Sequence, residues 1–231
     1  MNVIELSDLH FRWPKQSTDL LNIPSLTVKK GEKVFLKGPS GSGKSSLLSL
    51  LAGITQPNSG KISLLQQPFS TLKPSQRDKF RANHIGYIFQ MFNLLPYLSV
   101  IDNVLLPCRF SEQRKRQVAD SMEQEAKRLL SQLHLPEECL EKPISELSIG
   151  QQQRVAAARA LIGKPELLIA DEPTSALDHD NREAFIQLLM AECEQAGTTL
   201  LFVSHDETLE ALFDRSITLK DINQAARENH L

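Results

Sequence analysis

Gly38-Pro39-Ser40-Gly41-Ser42-Gly43-Lys44-Ser45 lies between an apolar, strand-like stretch, Val34-Phe35-Leu36, and a helix-like one, Leu47-Leu48-Ser49-Leu50-Leu51. A glycine-rich turn after a strand lets main-chain N–H groups curl around a phosphate. The helix that follows points its positive end at the same place. In this pattern Lys44 reaches the β- and γ-phosphates of a nucleotide, the Ser45 hydroxyl binds Mg2+, and Ser46 closes the loop's lining. A flexible linker that ended in Gly-Lys-Ser by chance would not be flanked by apolar runs on both sides.

The composition bounds the rest. A chain of 231 residues is long enough for one sizeable domain with a smaller lobe. With 41% hydrophobic and 23% charged residues it is not a disordered chain. The net charge of -2 gives no support to nucleic acid as the main partner. Cys108, Cys139 and Cys193 have no metal-ligand spacing and read as buried thiols of a reducing compartment. Met1-Asn2-Val3-Ile4-Glu5 lacks the pattern of a signal peptide, and no apolar run approaches bilayer length. A cytoplasmic protein is expected, unless a partner holds it at a membrane.

Val3 to Trp13 alternates loosely and reads as a strand, and Leu26-Thr27-Val28 suggests a second. The helix after the phosphate loop ends at Gly53 and Pro57, and a short strand, Lys61 to Leu65, follows the Asn58-Ser59-Gly60 turn. Ile85-Gly86-Tyr87-Ile88-Phe89 is apolar enough for a central strand that ends at Gln90. From about residue 93 to 145 good strand candidates disappear. Val118, Met122, Ala126, Leu129, Leu130 and Leu133 recur at helical spacing, which predicts one long amphipathic helix in an inserted helical region. The α/β pattern then resumes with a helix over Gln151 to Ile162 and the apolar strand Leu167-Leu168-Ile169-Ala170. A helix over Glu183 to Ala196, the apolar strand Leu200-Leu201-Phe202-Val203 and a last strand over Arg215 to Leu219 complete it. Strands apolar on both faces are what a parallel sheet covered by helices requires.

Asp171-Glu172-Pro173 follows the first of those apolar strands, at the edge where open α/β sheets put their ligands. Asp171 can hold the Mg2+ shell, directly or through water, and Glu172 can polarise the water that attacks the γ-phosphate. His205 closes the second apolar strand, where an imidazole can hydrogen-bond the γ-phosphate and sense its loss. Gln90 also ends a strand. Its amide can contact Mg2+ and water, and can transmit the presence of nucleotide to the helical region that follows.

Together these segments resemble an ATP-binding-cassette (ABC) ATPase, the motor subunit of ABC transporters. The phosphate loop, Gln90, Leu147-Ser148-Ile149-Gly150-Gln151-Gln152-Gln153-Arg154, the Asp171-Glu172 pair, Ser175-Ala176-Leu177-Asp178 and His205 occur in the family's order. The resemblance implies an α/β P-loop NTPase fold of the ABC type. Its features would be a mixed sheet core, N-terminal antiparallel strands and an inserted helical subdomain. Residues 1–231 would then form one ABC ATPase domain, with a core lobe at 1–90 and 146–231 and the helical subdomain at 91–145.

It further implies an ATP hydrolase that works as an ATP-dependent, head-to-tail homodimer. The Leu147–Gln151 segment of one copy covers ATP on the other's phosphate loop, Ser148 and Gly150 contact that γ-phosphate, and Asp178 aligns the opposing site across the seam. Trp13 stands where the family places its adenine platform, with Phe11 as the competitor on the same side of the strand. One letter departs from the pattern, since Ile149 stands where the family has glycine. A β-branched residue disfavours positive φ, so either the γ-phosphate contact is strained or residue 149 is already helical or extended and its side chain points away. The intact Ser148, Gly150 and Gln151 favour the second reading.

The stretch Phe89-Gln90-Met91-Phe92-Asn93-Leu94-Leu95-Pro96 and its continuation to Pro107 are similar to the branch serving lipoprotein release, macrolide and peptide export, and cell division. That likeness implies a permease with few transmembrane helices, bound at the cytoplasmic face of the inner membrane, with Phe92, Leu94, Leu95 and Leu98 as a docking surface. No nucleic-acid partner is expected. The competing class is a non-transport cassette ATPase of iron–sulfur assembly, DNA repair or ribosome rescue. The coiled-coil, zinc or second-cassette insertions of the DNA and ribosome proteins do not occur in the chain, and the segment after Gln90 sets it apart from the iron–sulfur type. The tail from Lys220 lacks the Asp-Gly turn common after the family's last strand, so its end is expected to be frayed or differently packed.

Overall fold

A computed structural model describes residues 1–118, 121–175 and 179–225; Asp178 and the last residues of the tail lie outside it. Along the chain run β1 (Asn2–Phe11), β2 (Leu21–Lys29), β3 (Lys33–Lys37), α1 (Lys44–Leu51), β4 (Ser59–Leu64), α2 (Pro74–His84) and β5 (Ile85–Ile88). They are followed by α3 (Val100–Phe110), α4 (Glu112–Gln117), α5 (Met122–Gln132), α6 (Ile149–Leu161) and β6 (Leu167–Asp171). The last elements are α7 (His179–Ala196), β7 (Thr199–Val203), β8 (Arg215–Thr218) and α8 (Leu219–Ile222). Two compact units form, Met1–Arg81 with Leu201–Leu231, and Ala82–Leu200.

In the first unit β2, β1 and β4 form an antiparallel sheet with β1 in the middle. Leu6 of β1 faces Leu26 of β2 and Ile62 of β4, so cross-strand apolar pairs set the register. β3 pairs in parallel with β8, Leu36 opposite Ile217. Phe35, Phe202 and Phe213 form an aromatic cluster with centroids 5.1 to 6.1 Å apart, and the phosphate-loop strand is built on it. α1 seats Leu47, Leu48, Leu50 and Leu51 in the same unit's core.

In the second unit β5 and β6 pair in parallel, Tyr87 opposite Ile169. Leu167 to Ala170 are buried, as a parallel strand covered on both faces demands. Gly86 admits helix α6 closely, for a Cβ there would lie 2.4 Å from the Ala160 carbonyl oxygen. Cys108, Cys139 and Cys193 are buried, all in this unit.

Two elements differ from the sequence reading. The long helix predicted from Val118 onward is shorter: Val118 caps the end of α4 in an extended conformation, and α5 starts afresh behind Ser121, whose hydroxyl accepts from the Gln124 N–H. The apolar spacing of Val118 continues by coincidence across a helix boundary. Helix α2 leaves little trace in the sequence, because its mean hydropathy is low and only Arg77 and Phe80 are buried. Pro74 starts it, and Phe80 docks on Phe69 at a ring distance of 5.1 Å.

The tail's first residues are anchored. Asn223, buried, accepts from the Asn22 N–H at 2.8 Å and donates to the Leu20 carbonyl at 2.9 Å, and the Gln224 N–H donates to the Asn22 carbonyl. Replacing Asn223 with Ala orphans the buried Asn22 N–H of β2 and the half-buried Leu20 carbonyl just before the strand. We expect a loss of about 1–3 kcal/mol in a urea titration. A loss below about 0.5 kcal/mol would mean that the clamp holds nothing.

Candidate active site

The phosphate loop joins β3 to α1. Gly41 and Gly43 have φ of 78° and 101°, a region that side chains rarely enter, and a Cβ on Gly43 would lie 2.8 Å from Leu21 Cδ2. Gly43 is also the N-cap of α1 and supplies no side-chain acceptor, so the N–H groups of the helix's first turn have no cap. Ser42 Oγ is buried without a hydrogen-bond partner. Lys44 Nζ folds back onto its own loop, donating to the Gly38 carbonyl at 2.5 Å and the Pro39 carbonyl at 3.2 Å. Uncapped N–H groups, a partnerless hydroxyl and an ammonium that settles on carbonyl oxygens are a donor set suited to an anion of several oxygens. The loop fits a polyphosphate. Ser45 is exposed and Ser46 is buried at the start of α1.

Phe11, the last residue of β1, is buried, while Trp13, two residues on, is 40% exposed, the two rings meeting edge to face at 5.1 Å. Trp13, Arg12, Lys15, Gln16, Thr55 and Asn58 line an open groove of about 360 Å³. His10 and Arg12 both reach Asp19, and Asn58 accepts from the Arg12 N–H, which tie the groove's loop down. Phe11 also lines this groove, and of the two aromatic candidates Trp13 is the more exposed to a base. His205, exposed, follows β7 in a turn held on both sides. Ser204 Oγ accepts from the Asp206 N–H, and Asp206 caps the next turn by accepting from Thr208. The first unit therefore carries the phosphate loop, Trp13 and His205.

In the second unit β6 delivers Asp171 and Glu172. Glu172 has φ 47°, a left-handed conformation that costs a non-glycine residue about 1–3 kcal/mol. Pro173 disfavours the right-handed helical conformation for the residue before it, and the Ser175 N–H returns to the Glu172 carbonyl to close the turn. Burial and the Asp171 carboxylate push the Tyr87 phenol well above its ordinary range, so a negative charge beside the end of β5 is felt there. Gln90 is exposed two residues beyond β5. After it, Phe92 and Asn93 are again left-handed, at φ 58° and 50°. Phe92 is buried in the unit's own core, which removes it from the docking surface expected of it. Leu94, Leu95 and Leu98 are half-buried, and the large exposed side chains are Met91 and Tyr97.

Helix α6 opens with a reciprocal cap: Ser148 Oγ accepts from the Gln151 N–H at 3.3 Å, and Gln151 Oε1 accepts from the Ser148 N–H at 2.8 Å. Ser148 is exposed and its own O–H proton remains to donate. Ile149 is the first helical residue, outside the positive-φ set and 54% exposed. The helical alternative holds, and the position does not need glycine's freedom.

Two side chains that the sequence did not single out shape this unit. Asn103, fully buried, accepts from the Leu95 N–H and donates to the carbonyls of Leu95, Leu98 and Ser99. Arg159 donates to the carbonyls of Phe92 and Asn93. Asn103 falls within the stretch continuing to Pro107 but the pattern gives it no role, and both side chains act on main-chain atoms, which leave no trace in residue spacing.

A phosphate loop between strand and helix, with an acidic pair after a buried parallel strand, defines a P-loop nucleotide hydrolase. The profile described as ABC transporter matches residues 21–175. An uncharacterised ABC transporter ATP-binding protein of Escherichia coli K12, YbbA, is 44% identical over 194 residues, covering 84% of this chain and 83% of the relative. The lipoprotein-releasing system ATP-binding protein LolD of Hydrogenovibrio crunogenus is 38% identical over 221 residues, covering 95% and 94%. A dimeric structure of the ATP-binding cassette MJ0796 in a post-hydrolysis state, bound to ADP and Pi, superimposes with TM-score 0.83 at 35% identity, covering 94% of both chains. The chain belongs to the ABC transporter family. It is an ATP-hydrolysing ABC ATPase with a mixed sheet core, N-terminal antiparallel strands and an inserted helical subdomain. Among the described residues no helix is long and apolar enough to cross a membrane.

Because Ile149 is helical and exposed, Ile149→Gly should leave ATP turnover within about threefold and lower stability by no more than about 1 kcal/mol. A tenfold gain in turnover would show that the side chain obstructs the site.

Proposed function

We propose that the chain is the motor subunit of an inner-membrane transporter or mechanotransmitter. It would bind ATP on the phosphate loop with the adenine against Trp13, and close head to tail on a second copy. The observation that carries the nucleotide site is the start of α1, uncapped beside the buried, partnerless Ser42 hydroxyl. Of Gly38 to Ser46, all but Pro39 have N–H donors to offer the phosphates, and Lys44 exchanges its two loop carbonyls for phosphate oxygens. Ser45, Asp171 and Gln90 offer a hydroxyl, a carboxylate and an amide, hard oxygen ligands of the kind Mg2+ takes. A bound Mg2+ would neutralise charge on the β- and γ-phosphates.

Glu172 accepts a hydrogen bond from the attacking water and orients it, its left-handed backbone fixing where the carboxylate emerges. His205 hydrogen-bonds the γ-phosphate from its doubly held turn. Ser148, with one donor still to give, and Gly150, near the start of α6, contact the γ-phosphate of the other copy's nucleotide. Asp178 aligns the opposing site. The similarity to a lipoprotein-releasing ATPase supports a permease partner with few membrane-spanning helices, and a cytoplasmic location at the membrane face. Exposed Met91 and Tyr97, next to half-buried Leu94, Leu95 and Leu98, give that partner an apolar contact.

Glu172→Gln keeps the shape of the side chain and removes its basicity. Turnover should fall by about a hundredfold or more, while an ATP-dependent dimer accumulates in size-exclusion chromatography. Monomer under saturating ATP would refute the clamp. Affinity purification from solubilised membranes should recover an integral membrane protein; recovery of ribosomes or DNA alone would refute the transport reading.

A further inference from the structure

The second unit holds helix α6 against the chain on both sides of Gln90, at one point before it and one after. At the first, Gly86 of β5 lets the Ala160 carbonyl of α6 approach to 2.4 Å of where a Cβ would stand. At the second, the neighbouring Arg159 sends Nη1 to the Asn93 carbonyl at 2.7 Å and Nη2 to the Phe92 carbonyl. Those two residues are left-handed, a conformation that surroundings must impose. Arg159 is 8% exposed, and burial lowers its pKa with no carboxylate contributing. A buried cation whose hydrogen bonds go to two consecutive carbonyls is expensive to keep. A planar guanidinium presents two donors to these oxygens in one rigid fork, whereas an ammonium is a point charge on a flexible stem and fixes the two carbonyls less firmly. On the loop's other side Asn103 fixes residues 95 to 99, so buried side chains hold the loop at both ends.

We propose that Arg159 is a positioning residue for hydrolysis. It locks the Phe92-Asn93 turn to α6, so that the Gln90 amide and the N-terminus of α6, which begins at Ser148, move as one piece. This rests on the roles given above to Gln90 and Ser148. Gln90 answers to the γ-phosphate of its own copy, Ser148 to that of the other, and the Arg159 fork makes the two responses simultaneous. Its loss lets nucleotide bind and Gln90 respond without carrying α6 along.

The test uses the intact protein. Arg159→Lys keeps the charge and loses the fork. ATP affinity, read from the fluorescence of the single tryptophan, Trp13, should stay within about twofold, while kcat falls by about tenfold or more. Amide exchange should accelerate at residues 91–95 and remain unchanged in α1. Asn93→Pro, at an exposed position, breaks the same turn from the loop side and should reproduce the kcat loss, since proline cannot adopt φ 50°. It keeps the experiment decisive if Arg159→Lys does not fold. In a double-mutant cycle with Gln90→Ala, the double variant should lose no more than about twofold beyond the worse single variant. Losses that multiply would overturn the proposal and leave Gln90's role standing. An unchanged kcat in Gln90→Ala would overturn that role and the proposal with it. A parallel fall in affinity and kcat, or wild-type turnover in Asn93→Pro, also overturns the proposal.

Discussion

Four N–H groups at the start of every α-helix have no carbonyl within the helix, and what is done with them organises this protein. Helices α3, α4, α5 and α6 each begin behind a serine, Ser99, Ser111, Ser121 and Ser148, whose hydroxyl accepts from the third helical residue. α1 does not. Gly43 stands at its cap position with φ 101°, and the donors are left facing the loop. Serine caps typically contribute about 1 kcal/mol, so omitting one is a real cost to the helix. The apolar face of α1, Leu47, Leu48, Leu50 and Leu51, anchors it regardless. α6 occupies an intermediate position: its N-cap serine serves its own helix through oxygen lone pairs and keeps a proton to give.

Three of the nine non-glycine residues at positive φ among the described residues stand beside candidate site residues. Glu172, Phe92 and Asn93 are left-handed without being glycine, and each follows the end of a buried parallel strand by a few residues. In each case neighbours hold the conformation. Pro173 and the Ser175 N–H act on Glu172, while the Arg159 fork acts on the pair behind Gln90. Strain held this way fixes a side chain's exit direction more tightly than rotamer preference alone.

Much of this was legible in the sequence where chemistry depends on residue type. The phosphate loop, the apolar strands β6 and β7, the acids after β6 and the histidine after β7 all announce themselves by pattern. Ile149 was legible too, because a β-branched residue can be argued out of a positive φ. What escaped depends on partners that residue spacing does not name. Arg77 and Phe80 are too few to reveal α2, whose docking relies on Phe69. Val118 mimics helical spacing across a break that only Ser121's cap explains. Arg159 sits in an alanine-rich stretch, Ala156 to Ala160, and looks like a solvated charge until its carbonyl partners are seen.

The buried cysteines have a practical consequence. Cys108, Cys139 and Cys193 are all in the unit Ala82–Leu200, and the rest of the chain contains no thiol. The only tryptophan belongs to the other unit. A maleimide reagent therefore reports the opening of one unit, and indole emission reports the other, in the unaltered protein. Alkylation that outpaced the change in emission would reveal the two units loosening independently.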